Sequence, residues 1–197
     1  MRGADTRERV LGVARTMMQE RGYNGFSYAD VAAAVGITHV AVHHHFKAKA
    51  DLGAAAMADY GKTFAEALDE AARNHADAAG RLRSFVDLFR RVLRQGDRVC
   101  LCGMLASEYA TLPQAVQREV RSFFDRTEAW LAEVLEEGRT RGDLNFAGDA
   151  RTAAAFLLAS LEGALIAART FGDERRLATA GEWLMAGLTK PKTSRVE

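Results

Sequence analysis

Residues 22–52 read GYNGFSYADVAAAVGITHVAVHHHFKAKADL. Gly22 suits the position just past the end of a helix, and YNGFS follows it as a loop. Ser27, with Asp30 three residues on, forms a capping-box-like start for a helix whose Val31, Ala32 and Val35 point inward. Gly36 stops that helix after about two turns. Thr38 then suits the N-cap of a further helix, in which Val42 and Phe46 share the inward face at i and i+4. Two short helices joined by a tight glycine-containing turn have the form of a helix-turn-helix. Ala32 and Ala33 allow close approach, Gly36 frees the turn for positive φ, and Ile37, Val42 and Phe46 fix the crossing angle.

The same stretch holds four of the five histidines, His39, His43, His44 and His45. A metal site, solvated imidazoles and a surface that meets phosphates and bases all fit such a run. His39 and His43 stand at i and i+4, yet no nearby Asp, Glu or Cys completes a ligand set, so no metal is expected. His45 is expected to be partly packed. The chain carries +1 overall, but residues 1–50 hold seven Arg and Lys against four Asp and Glu, a net of +3. The end suited to a polyanion is therefore the first quarter.

Outward from this stretch the chain reads as helix throughout. Its 197 residues are 48% hydrophobic, with only two prolines, Pro113 and Pro191, and an abundance of Ala, Leu, Arg and Glu. Val10, Val13, Ala14, Met17 and Met18 mark one face of a helix over 6–21, and Met57, Tyr60, Phe64 and Leu68 one face of a helix from Lys49 or Asp51 to about Arg73. Further helices are predicted at 79–95, 99–109, 113–141, 148–171 and 174–189, with a disordered tail over 191–197. The charged N-terminus lacks the apolar segment of a signal peptide, and no run of about 18 uninterrupted apolar residues occurs, so a cytoplasmic protein with no membrane partner is expected. Cys100 and Cys102 make no disulfide framework. Nucleophile-elbow, phosphate-loop, zinc-protease and C-x-x-C motifs are all missing, which predicts neither an enzyme nor a cofactor.

Gly22-Tyr23, Ser27, Val31-Ala32, Gly36-Ile37-Thr38, His44, Phe46, Lys49 and Leu52 occur in an order that resembles the DNA-binding segment of TetR-family transcriptional regulators. The resemblance implies an all-α, nine-helix fold. Residues 1–50 would form a three-helix helix-turn-helix domain, and 51–190 a larger ligand-binding and dimerisation domain. It also implies DNA contacts from Ser27, Thr38, His39, Val40, Ala41, His43, His44 and Lys49, with Lys49 on a phosphate and the start of the recognition helix at base edges. The chain departs from the family where position 43 is usually Tyr, position 39 often Lys and position 40 often small. Val40 and Ala41 offer contacts to thymine methyls rather than bidentate hydrogen bonds.

Residues 85–130 concentrate aromatic and sulfur-bearing side chains, and Phe85, Phe89, Met104, Phe124 and Trp130 would suit a pocket for an apolar or aromatic effector, with Glu108 or Tyr109 as polar anchor. Core packing explains the same residues. Phe156, Leu157, Leu161, Leu165 and Leu184, on the last two helices, suit a dimer interface. CLCGMLASEY resembles a stretch in one branch of TetR regulators, some of which sense electrophiles or oxidants through a cysteine, here Cys100 with Arg98 near it. The leading expectation is a homodimeric repressor released from a palindromic operator in double-stranded DNA by a small-molecule effector. The alternative is the same fold acting as an electrophile or redox sensor through Cys100.

Overall fold

The computed structural model describes residues 2–189, so the tail expected over 191–197 lies outside the described residues. Among the described residues nine α-helices run in order: α1 (Arg2–Arg21), α2 (Tyr28–Val35), α3 (His39–His45), α4 (Lys49–Asn74), α5 (Ala78–Leu93), α6 (Leu101–Ser107), α7 (Gln114–Arg141), α8 (Ala150–Phe171) and α9 (Arg175–Leu188), with one 3-10 turn, Tyr109–Thr111. Among the described residues there is no strand. The all-α expectation and its nine helices hold, with most ends within a few residues.

The helix expected over 99–109 is the exception, ending at Ser107 and giving way to the 3-10 turn. Glu108 leaves helical geometry at φ −100° and ψ 8°, in the bridge region that terminates a helical ladder.

Contacts divide the chain into two compact units. The described residues of Met1–Phe64 and Asp97–Phe124 form one, and those of Ala65–Gly96 and Asp125–Glu197 the other. The boundary expected at residue 50 counts the helix-turn-helix alone. The first unit adds to it the start of α4, α6 and the start of α7.

In the first unit Val10, Ala14 and Met18 of α1 are fully buried, as are Val31, Val42, Leu52 and Ala56. Val13 and Met17 are only half-buried, and Leu11 takes a core place instead. Ala32 is buried, but Ala33 is exposed, so the close approach of α2 rests on Ala32. Gln19 is also buried: its Nε2 donates to the Val99 carbonyl at 3.1 Å, which satisfies the amide and ties α1 to the segment before α6. Gly53 is required by contact, because a Cβ there would lie 2.7 Å from the Tyr23 ring.

The second unit packs Leu82, Phe85 and Phe89 of α5, Leu131 and Leu135 of α7, Leu158, Leu161 and Leu165 of α8, and Leu177 of α9 into its core. Two aspartates cap its helices: Asp77 accepts the Gly80 N–H at 2.6 Å and Asp149 the Thr152 N–H at 2.9 Å. By length and composition α8 alone among the described helices could cross a bilayer; its Leu and Ala face is instead buried in this unit, chiefly against α9.

Candidate nucleic-acid interface

The helix-turn-helix is built by local hydrogen bonds that the sequence specifies. Ser27 Oγ accepts the Asp30 N–H at 3.3 Å, and Asp30 Oδ2 accepts from Ser27 N at 2.7 Å and Ser27 Oγ at 2.6 Å, a complete capping box. These bonds hold the Asp30 carboxyl below its ordinary value: the Ser27 hydroxyl contributes most, then the Ser27 N–H, against a smaller desolvation effect. Gly36, at φ 75°, donates to the carbonyls of Ala32 at 2.9 Å and Ala33 at 3.3 Å, which closes α2 in the left-handed conformation that favours glycine. Thr38 Oγ1 accepts the Ala41 N–H at 3.2 Å and so starts α3.

Val42 is fully buried under α3, and His39, Val40, His43 and His44 face outward. Ala41 and His45 are half-buried, as expected for His45. The imidazoles of His39 and His43 meet edge to face at 4.6 Å, and His43 also packs edge-on to the Tyr28 ring at 4.6 Å. Tyr28 is anchored in turn by its Oη, which donates to the Phe46 carbonyl at 2.9 Å. Burial foremost, with the Asp51 and Tyr23 charges, pushes its phenol up to about 12, so it stays a neutral donor. Two recognition-helix side chains are thus held by ring contacts.

Lys49, expected on a phosphate, makes contacts within the protein. Its Nζ donates to the Phe26 carbonyl at 2.5 Å and sits 4.6 Å from the Tyr23 ring and 4.3 Å from the Phe26 ring. Desolvation lowers its pKa, partly offset by the Glu108 and Asp30 carboxylates. The ammonium fastens the α1–α2 loop rather than reaching outward from the helix start. On the same loop, Glu108 accepts the N–H groups of Tyr23 at 2.5 Å and Asn24 at 3.4 Å, and Asn24 Nδ2 at 3.2 Å. Nothing local in the sequence signals that link, which spans about 85 positions.

The residues expected at an effector pocket are divided between the two units. Phe85, Phe89 and Trp130 form one aromatic cluster in the second unit, Phe85 meeting Phe89 edge to face at 5.3 Å and stacking on Trp130 at 6.1 Å. Met104, Glu108, Tyr109 and Phe124 belong to the first unit. There Phe124 packs edge-on to Phe123, and the Arg121 guanidinium lies over the Tyr109 ring. The second unit carries a groove of about 370 Å³ lined by Phe146, Ala153, Phe156, Leu157, Trp183 and Leu184, and a more polar one of about 630 Å³ between α7 and the start of α8.

Three dimer-interface expectations need correction. Leu157, Leu161 and Leu165 are buried within the protomer, on the stripe of α8 that faces its own core. Phe156 is 65% exposed and Leu184 half-buried, and they are joined at the surface by Trp183 at 76% and by Ile166 and Phe171. A helix apolar nearly all round carries two stripes, and periodicity alone does not say which one faces the partner. Cys100 is 1% exposed and accepts the Tyr60 hydroxyl at 3.4 Å, while Arg98 pairs with Glu20 at 3.6 Å. Among the described residues no group of three or more His, Cys, Asp or Glu is placed to hold a metal ion.

A helix-turn-helix with a capped, outward-facing second helix in an all-α chain defines a class of DNA-binding regulators. Residues 10–56 match the model of the bacterial regulatory proteins of the tetR family, and residues 78–184 that of the tetracyclin repressor-like C-terminal domain. The chain belongs to the TetR family of DNA-binding transcriptional regulators. A TetR-family transcriptional regulator from Agrobacterium tumefaciens has the same fold, with a TM-score of 0.93 and 32% identity over 95% of this chain and 100% of that one. The transcriptional regulator AcuR of Cereibacter sphaeroides is 27% identical over 77% of this chain and 71% of its own length. The transcriptional repressor DhaR of a Mycobacterium species is 24% identical over 81% of this chain and 80% of its own.

Proposed function

We propose that this protein is a homodimeric, cytoplasmic repressor that binds a palindromic operator and is released from it by a small apolar or aromatic effector. The observation that carries the reading is the outward face of α3, where Val40, His43 and His44 are presented by a turn fixed at Ser27, Gly36 and Thr38. The recognition element falls within residues 1–50, and effector and dimer surfaces fall within 51–190. The match of residues 78–184 to the tetracyclin repressor-like C-terminal domain supports a small-molecule effector. The exposed apolar residues of α8 and α9 support a two-fold partner. DhaR is a transcriptional repressor, which supports the sign of regulation.

Selection of duplexes from a random pool with the purified protein, at two salt concentrations, tests the reading. The expected result is a palindrome whose half-sites lie about one DNA turn apart or a multiple of it, with affinity falling steeply as salt rises. Weak binding without a motif would overturn it. Native mass spectrometry and tryptophan quenching with a panel of aromatic compounds test the effector, and a panel that binds without lowering operator affinity would overturn that part.

A further inference from the structure

An exposed side chain on a surface helix ordinarily samples several rotamers, and ordering it on binding subtracts from the affinity of the contact it makes. His43 is exposed on α3, yet its ring is not left to solvent alone. It meets the Tyr28 ring at 4.6 Å with 68° between the planes, and the His39 ring at 4.6 Å with 69°. His39 in turn lies 5.9 Å from the Tyr28 ring, so the three rings close a triangle. The quadrupoles of aromatic rings favour edge-to-face contact, which selects one orientation of the imidazole.

Tyr28 can hold this triangle because it is itself fixed. It is 6% exposed at the first position of α2, and its Oη donates at 2.9 Å to the carbonyl of Phe46, the residue that caps α3. Carbonyls at a helix end lack intrahelical partners, so this bond ties the start of α2 to the end of α3. The two parts of the side chain therefore do separable things. The hydroxyl holds the end of α3, and the ring holds the orientation of His43.

We propose that Tyr28 is a positioning residue for operator binding, which from α2 fixes the imidazole of His43 in its DNA-facing orientation before DNA arrives. The inference rests on the operator-binding reading above and adds a residue that is buried behind the outward face of α3.

The test is a double-mutant cycle on duplexes recovered by selection from a random pool, with affinities measured by fluorescence anisotropy. Tyr28→Leu keeps an apolar side chain in the buried site and removes the ring. It is expected to weaken binding by about twofold to tenfold per half-site, the equivalent of ordering one side chain. In a His43→Ala background the same substitution is expected to cost little, because the group it positions is gone. Equal losses in both backgrounds would make Tyr28 a purely structural residue and overturn the proposal. Tyr28→Phe, which lacks only the hydroxyl, is expected to lower the thermal midpoint and to retain the coupling to His43. Should Tyr28→Leu fail to fold, nuclear magnetic resonance of the natural protein without DNA decides. Nuclear Overhauser contacts between the Tyr28 ring and the His43 ring protons are expected, and His43 ring signals at free-imidazole positions without such contacts would overturn the proposal. A recovered motif without coupling would overturn the role of Tyr28 and leave the regulator reading standing. A pool that yields no motif would overturn both.

Discussion

The carboxylate of Glu108 accepts the backbone N–H of Tyr23 at 2.5 Å, so a residue just past α6 holds the loop that leads into α2. Asn24 adds two donors to the same carboxylate and extends its amide to Thr111 Oγ1 at 2.8 Å. A Cβ at Gly22 would meet the Glu108 carboxylate at 2.7 Å, so the glycine serves both the left-handed turn and this approach.

Glu108→Ala is therefore expected to lower the urea midpoint by the equivalent of about 1–2 kcal/mol, the worth of charged hydrogen bonds at a half-exposed site. Glu108→Gln should recover part of that, because its amide oxygen still accepts the Tyr23 N–H. DNA affinity should fall with the loop's order in both variants. An unchanged midpoint with a changed effector response would return Glu108 to the effector site.

Lys49 gives a second measurement, because its two conceivable roles leave different traces. A phosphate contact contributes about one unit to the slope of log affinity against log salt, whereas a loop fastening contributes none. With Nζ on the Phe26 carbonyl between two aromatic rings, Lys49→Ala is expected to lower the thermal midpoint and to leave the salt slope unchanged.

What the sequence made legible were features written within four residues of one another. Ser27 with Asp30, Gly36, Thr38, and the Val42 and Phe46 pair declare themselves by spacing, and the structure forms each as a cap, a stop or a buried face. Glu108 and Lys49 were assigned by position in a pattern, but where their side chains go depends on partners brought close only by the tertiary fold. The same limit applies to Leu161 and Phe156, both apolar on α8. Only packing distinguishes the stripe that fills the protomer core from the one left at the surface.

Acid stability follows from the capping aspartates. The carboxyls of Asp77 and Asp149 are lowered chiefly by the N–H groups of Gly80 and Thr152, as that of Asp30 is by Ser27. A carboxyl depressed on folding contributes stability that is fully present above its unfolded value, near about pH 4, and is lost as pH falls through the folded value. Asn caps as well as Asp but does not titrate. Replacing Asp30, Asp77 and Asp149 together by Asn is expected to flatten the fall in thermal midpoint below about pH 4, as followed by far-ultraviolet circular dichroism.

The two apolar stripes of α8 predict two distinct kinds of damage. Phe156 and Trp183 stand at the surface around the apolar groove shared with Leu184, and they contribute little to the protomer core. Phe156→Glu with Trp183→Glu is therefore expected to leave helicity and the unfolding midpoint at high dilution nearly unchanged, while sedimentation velocity at micromolar concentration shows monomers. Operator affinity should drop with it, because a monomer engages a single half-site. Leu161 is fully buried in the protomer, and Leu161→Ala should cost about 2–5 kcal/mol of stability through the cavity it leaves. Its effect on association should appear only through that loss. A surface double variant that stays dimeric would move the interface off this face of α8 and α9, whatever the behaviour of Leu161.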